Sequence, residues 1–256
     1  MHATEERGVR RITFDRPDAM NAFTTDHARE LAERYLEANG GRSTIEAVRT
    51  VVVNASLIYE DQPEGAINIF RKRPDRFRMV HKRDDAEVVT IYDGTRAERR
   101  YLVDGVLREV ESVENTADIE AIRRMARFGS PFLQVLDAGT AFTVAAIEED
   151  GTTVAYRLRL DPGNAAGYRE VWLDAEHYQE VSIFPDTTSV QRDGVTRVNY
   201  SEFTRQGGIL YPTRMDYLAE GEVLYRAEVE ELRNNVGLFD QYFEVGAAET
   251  ADSLNR

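Results

Sequence analysis

The residue types that carry out most protein chemistry are present in this chain, but their spacing does not build a site. The four histidines, His2, His27, His81 and His177, are far apart in the sequence. No His-x-x-x-His or Glu-x-x-His pattern, which would place two metal ligands on one helix face, occurs. The chain has no cysteine, which excludes disulfides, thiolate nucleophiles and zinc–cysteine sites. We therefore predict neither a metal site nor a bound cofactor.

Patterns for nucleophilic and acid–base catalysis are also missing. There is no Gly-x-Ser-x-Gly turn and no Gly-x-Gly-x-x-Gly phosphate loop, and Gly129-Ser130-Pro131 is more typical of a helix start. Paired acids such as Asp84-Asp85 and Glu230-Glu231 fall at turns or strand ends, where solvation accounts for them. We predict no catalytic residues and expect that the protein is not an enzyme.

Composition narrows the classes of partner. The 256 residues include 42% hydrophobic residues, enough for a substantial core, and carry a formal net charge of −14. This charge disfavours binding to nucleic acid, whose phosphates require Lys and Arg. No stretch approaches 18 apolar residues, so no transmembrane segment is predicted. Residues 1–23 lack the apolar run of 7 to 15 residues that a signal peptide requires.

The stretch Gly65–Gly94 predicts three antiparallel strands. Apolar residues alternate with polar ones in each of them, at Ile67 and Ile69, at Phe77 and Met79, and at Val89 and Ile91. Turn signals separate the strands at Pro74-Asp75 and Arg83-Asp84-Asp85, and Asp93-Gly94 follows the third. The remaining strands show the same period of two: a hairpin that turns at Asp104-Gly105 is predicted at 98–110, and single strands are predicted at 51–60, 153–160, 169–174, 179–184, 195–203, 209–219 and 223–229.

Two regions show the period of an amphipathic helix. The first runs from Thr25-Asp26 to Asn39-Gly40-Gly41. The second, residues 115–139, predicts a helical pair that is capped at Thr116 and Ser130 and separated by Gly129. Its 25 residues are too few for an independent core, so the pair must lie on the sheet. The predicted fold class is α+β, with a curved antiparallel sheet that forms a half-open β-barrel, covered by the N-terminal helix and by a mid-chain helical lid.

Several of these residues resemble a known family. Leu36–Gly41, then Lys72-Arg73-Pro74-Asp75 with Phe77, then Tyr92-Asp93-Gly94 are similar to the periplasmic carriers of outer-membrane lipoproteins, the LolA/LolB-like proteins. The resemblance covers about residues 26–245. It departs from the family after the Asp-Gly turn, where Ala97-Glu98 replaces a frequent aromatic residue. A single LolA-like domain is therefore predicted at 24–245, preceded by a leader at 1–23 and followed by a tail at 246–256.

The alternation and the resemblance together predict an acyl-chain cavity. Its lining is predicted from the strands and comprises Ile67, Ile69, Phe77, Met79, Ile91, Tyr156, Leu158, Leu160, Val171, Leu173, Met215, Tyr217 and Tyr225. The lid is predicted from the helical pair and comprises Ile119, Ile122, Met125, Phe132, Leu133 and Leu136. The resemblance also implies that Arg73 is a polar latch between strand and lid; a solvated arginine is the alternative. The planar guanidinium fork can grip several carbonyl groups at once.

The resemblance implies a soluble, periplasmic carrier for the acyl chains of lipoproteins or lipids, with a membrane release complex or a receptor as further partner. An interaction or sensor domain on the same fold, with the cavity filled by side chains, is the first alternative. The second is an enzyme, because Arg11-Ile12-Thr13-Phe14-Asp15-Arg16-Pro17 and the following residues to Phe23 resemble the first strand of enoyl-CoA hydratases (crotonases). That match spans only about 30 residues and lacks the glycine-rich stretch that would hold the thioester oxyanion.

Overall fold

The described part of the chain divides into two compact units. The computed structural model describes residues 2–6, 9–13, 25–60, 62, 64–150, 153–161, 163–164, 166–186 and 194–246. Unit 1 draws on Met1–Ala47 and Gly129–Glu228, and unit 2 on Val48–Phe128 and Val229–Arg256. The prediction of a single domain at 24–245 stays a prediction. The predicted tail lies outside the described residues except for Gly246, and so does much of the predicted leader.

Unit 2 is built on an antiparallel meander with one helix. Its elements are β3 (Thr50–Tyr59), β4 (Gly65–Lys72), β5 (Arg76–Arg83), β6 (Ala86–Tyr92), β7 (Ala97–Val103), β8 (Val106–Val113) and α3 (Thr116–Ala126). A short 3-10 helix follows at Asp240–Phe243. The strands predicted at 67–70, 77–79 and 88–92 are all present and pair with their neighbours in the meander. The Asp104-Gly105 turn has positive φ at both residues, 53° and 70°, as a tight hairpin requires.

Unit 1 contains the other helices and the second set of strands. Two strands, β1 (His2–Glu6) and β2 (Val9–Thr13), form a separate hairpin. The remaining elements are α1 (Thr25–Ala38), α2 (Arg42–Ala47), α4 (Pro131–Asp137), β9 (Phe142–Asp150), β10 (Thr153–Leu160), β11 (Tyr168–Asp174), β12 (Glu180–Pro185), β13 (Arg197–Gln206) and β14 (Ile209–Ala219). Strand β15 (Glu222–Asn234) contributes residues to both units. The alternation in the sequence did not single out β9.

The predicted fold class is confirmed. Within the described residues, thirteen antiparallel strands follow one another in the order β8-β7-β6-β5-β4-β3-β15-β14-β13-β12-β11-β10-β9, and the first and last strands of this order do not pair there. The sheet is therefore unclosed, and the few helices are packed on it. Of the two predicted helix caps, Ser130 is confirmed, since its side chain accepts from Leu133 N–H. The other prediction is wrong: Asn115, and not Thr116, caps α3 by accepting from Ala117 and Asp118 N–H.

Candidate functional site

Unit 2 covers one face of its meander with α3, and we call this the helix face of unit 2. Phe77 on β5 pairs with Tyr92 on β6, so both side chains point to this face. They form a buried cluster with Ala97, Val113, and Ile122 and Ala126 of α3. Ile69, Met79 and Ile119 are partly buried against this cluster. The register also brings Ile67 to this face, because it pairs with His81, four residues from Phe77.

Ile91 was predicted to line the same cavity, and the register shows that this is wrong. Phe77 pairs with Tyr92, which turns Ile91 to the opposite face. There it is buried with Val89 and Leu102, against Val80 and Val245. The segment 240–246 covers this face, since Asp240 pairs with Lys72 at 2.6 Å and Gly246 N–H donates to Glu98 at 2.9 Å. Strand β6 is apolar on both faces because both are covered, so alternation alone could not assign Ile91.

Unit 1 covers one face of its strands with α4, and we call this the helix face of unit 1. It contains every residue of this unit that was predicted to line the cavity. The successive pairings of β10 with β11, β11 with β12, β12 with β13, β13 with β14 and β14 with β15 place the eight side chains on one face. Leu158, Leu160, Val171 and Leu173 are buried. The others, Tyr156, Met215, Tyr217 and Tyr225, are partly exposed. The rings of Tyr217 and Tyr225 stack with their centroids 4.4 Å apart. This face therefore has a filled centre and an accessible aromatic region.

The predicted lid consists of two separate covers, because α3 belongs to unit 2 and α4 to unit 1. In α4, Phe132 and Leu133 are buried and Leu136 is partly buried. The Phe132 ring packs edge-on against Tyr35 of α1 at 4.8 Å and against Phe142 at 5.3 Å. In α3, Met125 is 37% exposed, so it does not share in the buried contact that Ile122 makes.

Arg73 of the resemblance motif and Arg71, two residues before it, contact α3 or the residues beside it. The Arg73 guanidinium lies 4.5 Å from the centre of the Phe128 ring, just after α3, and its Nε donates to Val48 O at 2.7 Å. The Arg71 Nε donates to Met125 O, a carbonyl of the last turn of α3, at 2.7 Å. Arg71 thus makes a contact of the kind that was predicted for Arg73, with a lid carbonyl, and the latch role of Arg73 stays a prediction. Alternation could have shown this, because Arg71 pairs with Phe77 and so lies on the helix face.

Two parts of the resemblance motif, Asp75 and the Asp-Gly turn at Gly94, lie close together in unit 2. Gly94 has a φ of 100°, and a Cβ atom on it would lie 2.9 Å from the Asp75 carboxylate. The Tyr92 hydroxyl donates to Gly94 O at 2.8 Å, and Arg123 of α3 donates to that hydroxyl at 3.2 Å. The Asp-Gly turn is therefore fixed against both the start of β5 and the helical cover.

A buried carboxylate joins helices α1 and α4 of unit 1 to the sheet. Glu180, at the start of β12, accepts hydrogen bonds from the Phe132 N–H of α4 and from the Tyr35 hydroxyl of α1, the latter at 3.2 Å. The Tyr35 hydroxyl also contacts the Ser130 hydroxyl. Burial raises the pKa of Glu180 to about 7, although the hydrogen bonds from Phe132, Ser130 and Tyr35 oppose this shift. Burial, followed by the charge of Glu180, raises the pKa of Tyr35 well above its usual value.

Glu180 could not be predicted from the sequence because a β-bulge changes the face to which its side chain points. Trp172 pairs with Ser182, but the next residue, Leu173, pairs with Glu180, so that Val181 is the extra residue. Without the bulge, Glu180 would share the outward direction of Ser182. The bulge turns it toward the helix face with Leu173. A period-two pattern contains no signal for such a reversal.

Neither the polar groups nor the helices that the structure describes indicate a metal site or a membrane span. Among the described residues, no group of three His, Asp or Glu side chains is arranged to hold a metal ion. No helix in the described part of the chain combines the length and the apolarity that crossing a membrane would require. The crotonase resemblance gains no support, since residues 9–13 form one strand of a two-stranded hairpin and 14–23 lie outside the described residues.

Comparison with known proteins identifies the fold. No model of a protein family and no curated protein sequence matches the chain. Among solved structures, a DUF1329 family protein from Desulfovibrio piger is similar with a TM-score of 0.53 and 14% identity, over 84% of this chain and 96% of that one. A LolA superfamily protein from Nitrosomonas europaea is similar with a TM-score of 0.50 and 12% identity, over 85% and 97%. At these identities the likeness shows the fold alone, which is the LolA-like half-open barrel.

Proposed function

We propose that this protein is a non-catalytic carrier that binds the acyl chains of lipids or lipoproteins on the helix faces of its sheet. One observation carries the proposal: each helix face joins a fully buried apolar centre to apolar side chains that stay partly exposed. In unit 2 these are Ile67, Ile69 and Met79 beside Phe77. In unit 1 they are the tyrosines and Met215 beside Leu158 and Leu173.

The covers are small enough to move. Helix α3 has 11 residues and α4 has 7, so each buries only a few side chains. An acyl chain that replaces part of a cover gains about 0.8 kcal/mol for each CH₂ group that it buries. Ten methylenes would therefore supply on the order of 8 kcal/mol, enough to compensate for displacing such a helix. In this account Arg73 and Arg71 are the latch of α3, which must release before a chain enters beneath it.

Location and partners follow from the same proposal. The resemblance of residues 36–41, 72–77 and 92–94 to lipoprotein carriers, together with the LolA-like fold, supports a periplasmic location. A carrier of this type receives its cargo from a membrane release complex and delivers it to a receptor. The acidic surface suits a protein that must not remain attached to anionic membranes.

An interaction or sensor domain is the second candidate. It is favoured by the complete burial of Phe77, Leu158, Val171 and Leu173, which shows that the protein's own side chains fill the centre of both helix faces. On this alternative the covers do not open for a ligand. The two candidates differ in whether the purified protein takes up acyl chains.

A titration with a fluorescent fatty-acyl probe tests the proposal. The double variant Met79→Glu with Met215→Glu places one charge among the partly exposed residues of each helix face, and we expect it to weaken binding at least tenfold. Val110→Glu is the matched control, because Val110 pairs with Arg100 on the opposite face and is 50% exposed. Saturable binding that both variants retain equally would place the site elsewhere. Absence of binding by the unmodified protein would favour the interaction domain.

A further inference from the structure

The face of unit 1 opposite its helix face carries alternating arginines and aromatic rings. Arg157 on β10 pairs with Trp172 on β11, and Trp172 pairs with Ser182 on β12, two residues from Phe184. The Trp172 and Phe184 rings are 5.4 Å apart. The guanidinium of Arg197, on β13, lies 5.0 Å from the Trp172 ring and 5.4 Å from the Phe184 ring.

Two more arginines extend the row at its ends. Arg157 lies 5.7 Å from the Trp172 ring, and Arg169 lies 5.5 Å from the Phe184 ring. A register shift between Tyr168 and Glu170 allows Arg169 to reach this face. We call Arg157, Trp172, Arg197, Phe184 and Arg169 the arginine–aromatic ladder. Cation–π contacts of this kind hold a guanidinium in a fixed orientation at a partly exposed site.

A buried acid organises one end of the ladder. Glu170 accepts from Trp172 Nε1 and contacts Arg157 Nε at 2.8 Å and Arg159 Nε at 3.7 Å. Its side chain is 9% exposed, whereas that of Arg159 is 58% exposed. A pocket of about 330 Å³ opens beside these groups. Its lining comprises Arg157, Arg159, Leu160, Arg169, Glu170 and Phe184.

The charge balance of this pocket is opposite to that of the chain. Three arginines and one glutamate line it, in a protein with a net charge of −14. Each guanidinium presents up to five N–H donors in a planar fork that matches the oxygens of carboxylate and phosphate groups. A carboxylate has two oxygens and is matched by one fork, whereas a tetrahedral phosphate can accept from two or three guanidinium groups at once. The volume is at the lower end of the range for ligand pockets, about 300 to 1,000 Å³.

We propose that this pocket binds a phosphoryl group, which Arg159 and Arg169 hold from its exposed side while Glu170 and the ladder fix Arg157 at its base. The arginines, Glu170 and Phe184 of this site lie on the face opposite to the proposed acyl-binding face, and of the lining only Leu160 belongs to the helix face, so the proposal does not depend on the acyl-carrier function. A phosphoryl group of this kind is available from a phospholipid headgroup or from a soluble phosphate ester.

Trp172 provides a direct readout because it is the chain's single tryptophan. Its fluorescence and the heat of binding are followed while the protein is titrated with inorganic phosphate, and with vesicles of phosphatidylglycerol or of phosphatidylcholine. The test variant is Arg159→Gln with Arg169→Gln. The matched control is Arg96→Gln with Arg108→Gln, which removes the same charge from two exposed positions of unit 2. We expect saturable phosphate binding that weakens at least tenfold in the test variant and less than twofold in the control.

The titrations with inorganic phosphate and with vesicles distinguish the two sources of the phosphoryl group. Binding to phosphatidylglycerol vesicles that inorganic phosphate displaces would identify a lipid headgroup, and phosphate binding without vesicle binding would identify a soluble ester; both support the proposal. Equal affinities in the two double variants would overturn it. So would the absence of both heat and fluorescence change with every phosphate probe. Displacement of the fluorescence signal by a polyglutamate peptide but not by phosphate would overturn it in favour of an acidic peptide.

Discussion

Both units cover an apolar sheet face with a short helix, but the polar contacts that hold the two helices differ in chemistry. In unit 2, guanidinium groups of Arg71 and Arg73 contact a carbonyl of α3 and a ring beside it. In unit 1, α4 is held by the buried carboxylate of Glu180, which also contacts Tyr35 of α1. An arginine stays charged at every physiological pH, whereas a carboxyl group with a pKa near 7 does not.

Because of this difference, we expect the two covers to respond differently to pH. Above pH 7 the buried Glu180 carries a charge whose partners are hydroxyl groups and one backbone N–H, all of them neutral. Opening of α4 would hydrate that charge, so a rising pH favours opening in unit 1. Nearby Tyr35 and Tyr200 stay protonated over this range, because burial raises the pKa of both. The Met125 and Val48 carbonyl groups and the Phe128 ring, which Arg71 and Arg73 contact, do not titrate in this range.

The largest expected effect is therefore the pH dependence that Glu180 contributes. A carboxyl group whose pKa is raised on folding stabilises the folded state most below its unfolded value, near 4.5, and this contribution is lost as the pH rises through 7. From these two values the loss is about 3 kcal/mol. Glu180→Gln should remove this loss, measured as the free energy of unfolding in urea from pH 4.5 to 7.5.

Glu176→Gln, at an exposed position in the turn before β12, is the control and should keep the pH dependence of the unmodified protein. Hydrogen exchange corrected for its intrinsic pH dependence should also show faster exchange in α4 above pH 7, and only where Glu180 is present. Parallel pH profiles of Glu180→Gln and the unmodified protein would show that the carboxylate does not hold the cover in this way.

A smaller effect separates the two arginines of unit 2. Hydrogen bonds that involve a charged donor contribute about 1.5 to 3 kcal/mol. Because Arg71 donates to an α3 carbonyl, Arg71→Leu should increase hydrogen exchange in α3 and destabilise the protein by about 2 kcal/mol. Arg73→Leu should affect the segment around Val48 and Phe128, as well as the uptake of a fluorescent fatty-acyl probe.

Arg108→Leu, on the exposed strand β8, is the control for both and should change neither exchange nor uptake. If Arg73→Leu behaves like Arg108→Leu while Arg71→Leu accelerates uptake, Arg71 is the latch. If all three variants show the same hydrogen exchange and the same probe uptake, the guanidinium contacts do not hold α3. The proposed difference between the two units is then wrong.

The smallest effect concerns the helix caps. Asn115→Ala should destabilise unit 2 by about 1 kcal/mol, because the Ala117 and Asp118 N–H groups lose their acceptor. Thr116→Ala, at the neighbouring position, should change stability by only a few tenths of that amount. Urea denaturation of both variants measures the difference. A larger loss for Thr116→Ala would restore the cap that the sequence suggested.

The sequence predicted the fold well because most strands have only one apolar face. Alternation correctly placed Tyr156, Leu158, Leu173 and Met215 on one face. It failed for Ile91, since the segment 240–246 covers the second face of β6 and makes both its faces apolar. Strand β9 was not predicted, because polar and apolar residues do not alternate strictly along it.

The polar part of the candidate site was less predictable. Ser130-Pro131 is a local signal, and it correctly marked the start of α4. Glu180 depends on a bulge that only the pairing of β11 with β12 reveals. Alternation places Arg71 on the helix face of unit 2, but its contact with Met125 O also depends on which carbonyl group α3 presents, and no pattern in the sequence encodes that distance. Tertiary geometry, and not residue type, decides these contacts.

Native mass spectrometry of the protein, purified without detergent or organic solvent, shows directly whether the helix faces bind acyl chains. The account predicts a protein species whose added mass equals that of a lipid or acylated molecule, which organic extraction releases and identifies. In the double variant Met79→Glu with Met215→Glu, which charges both helix faces, this species should fall at least tenfold, while Val110→Glu should retain it. A protein that carries no such mass, and that takes none up when incubated with fatty acids or phospholipids, would contradict the carrier function.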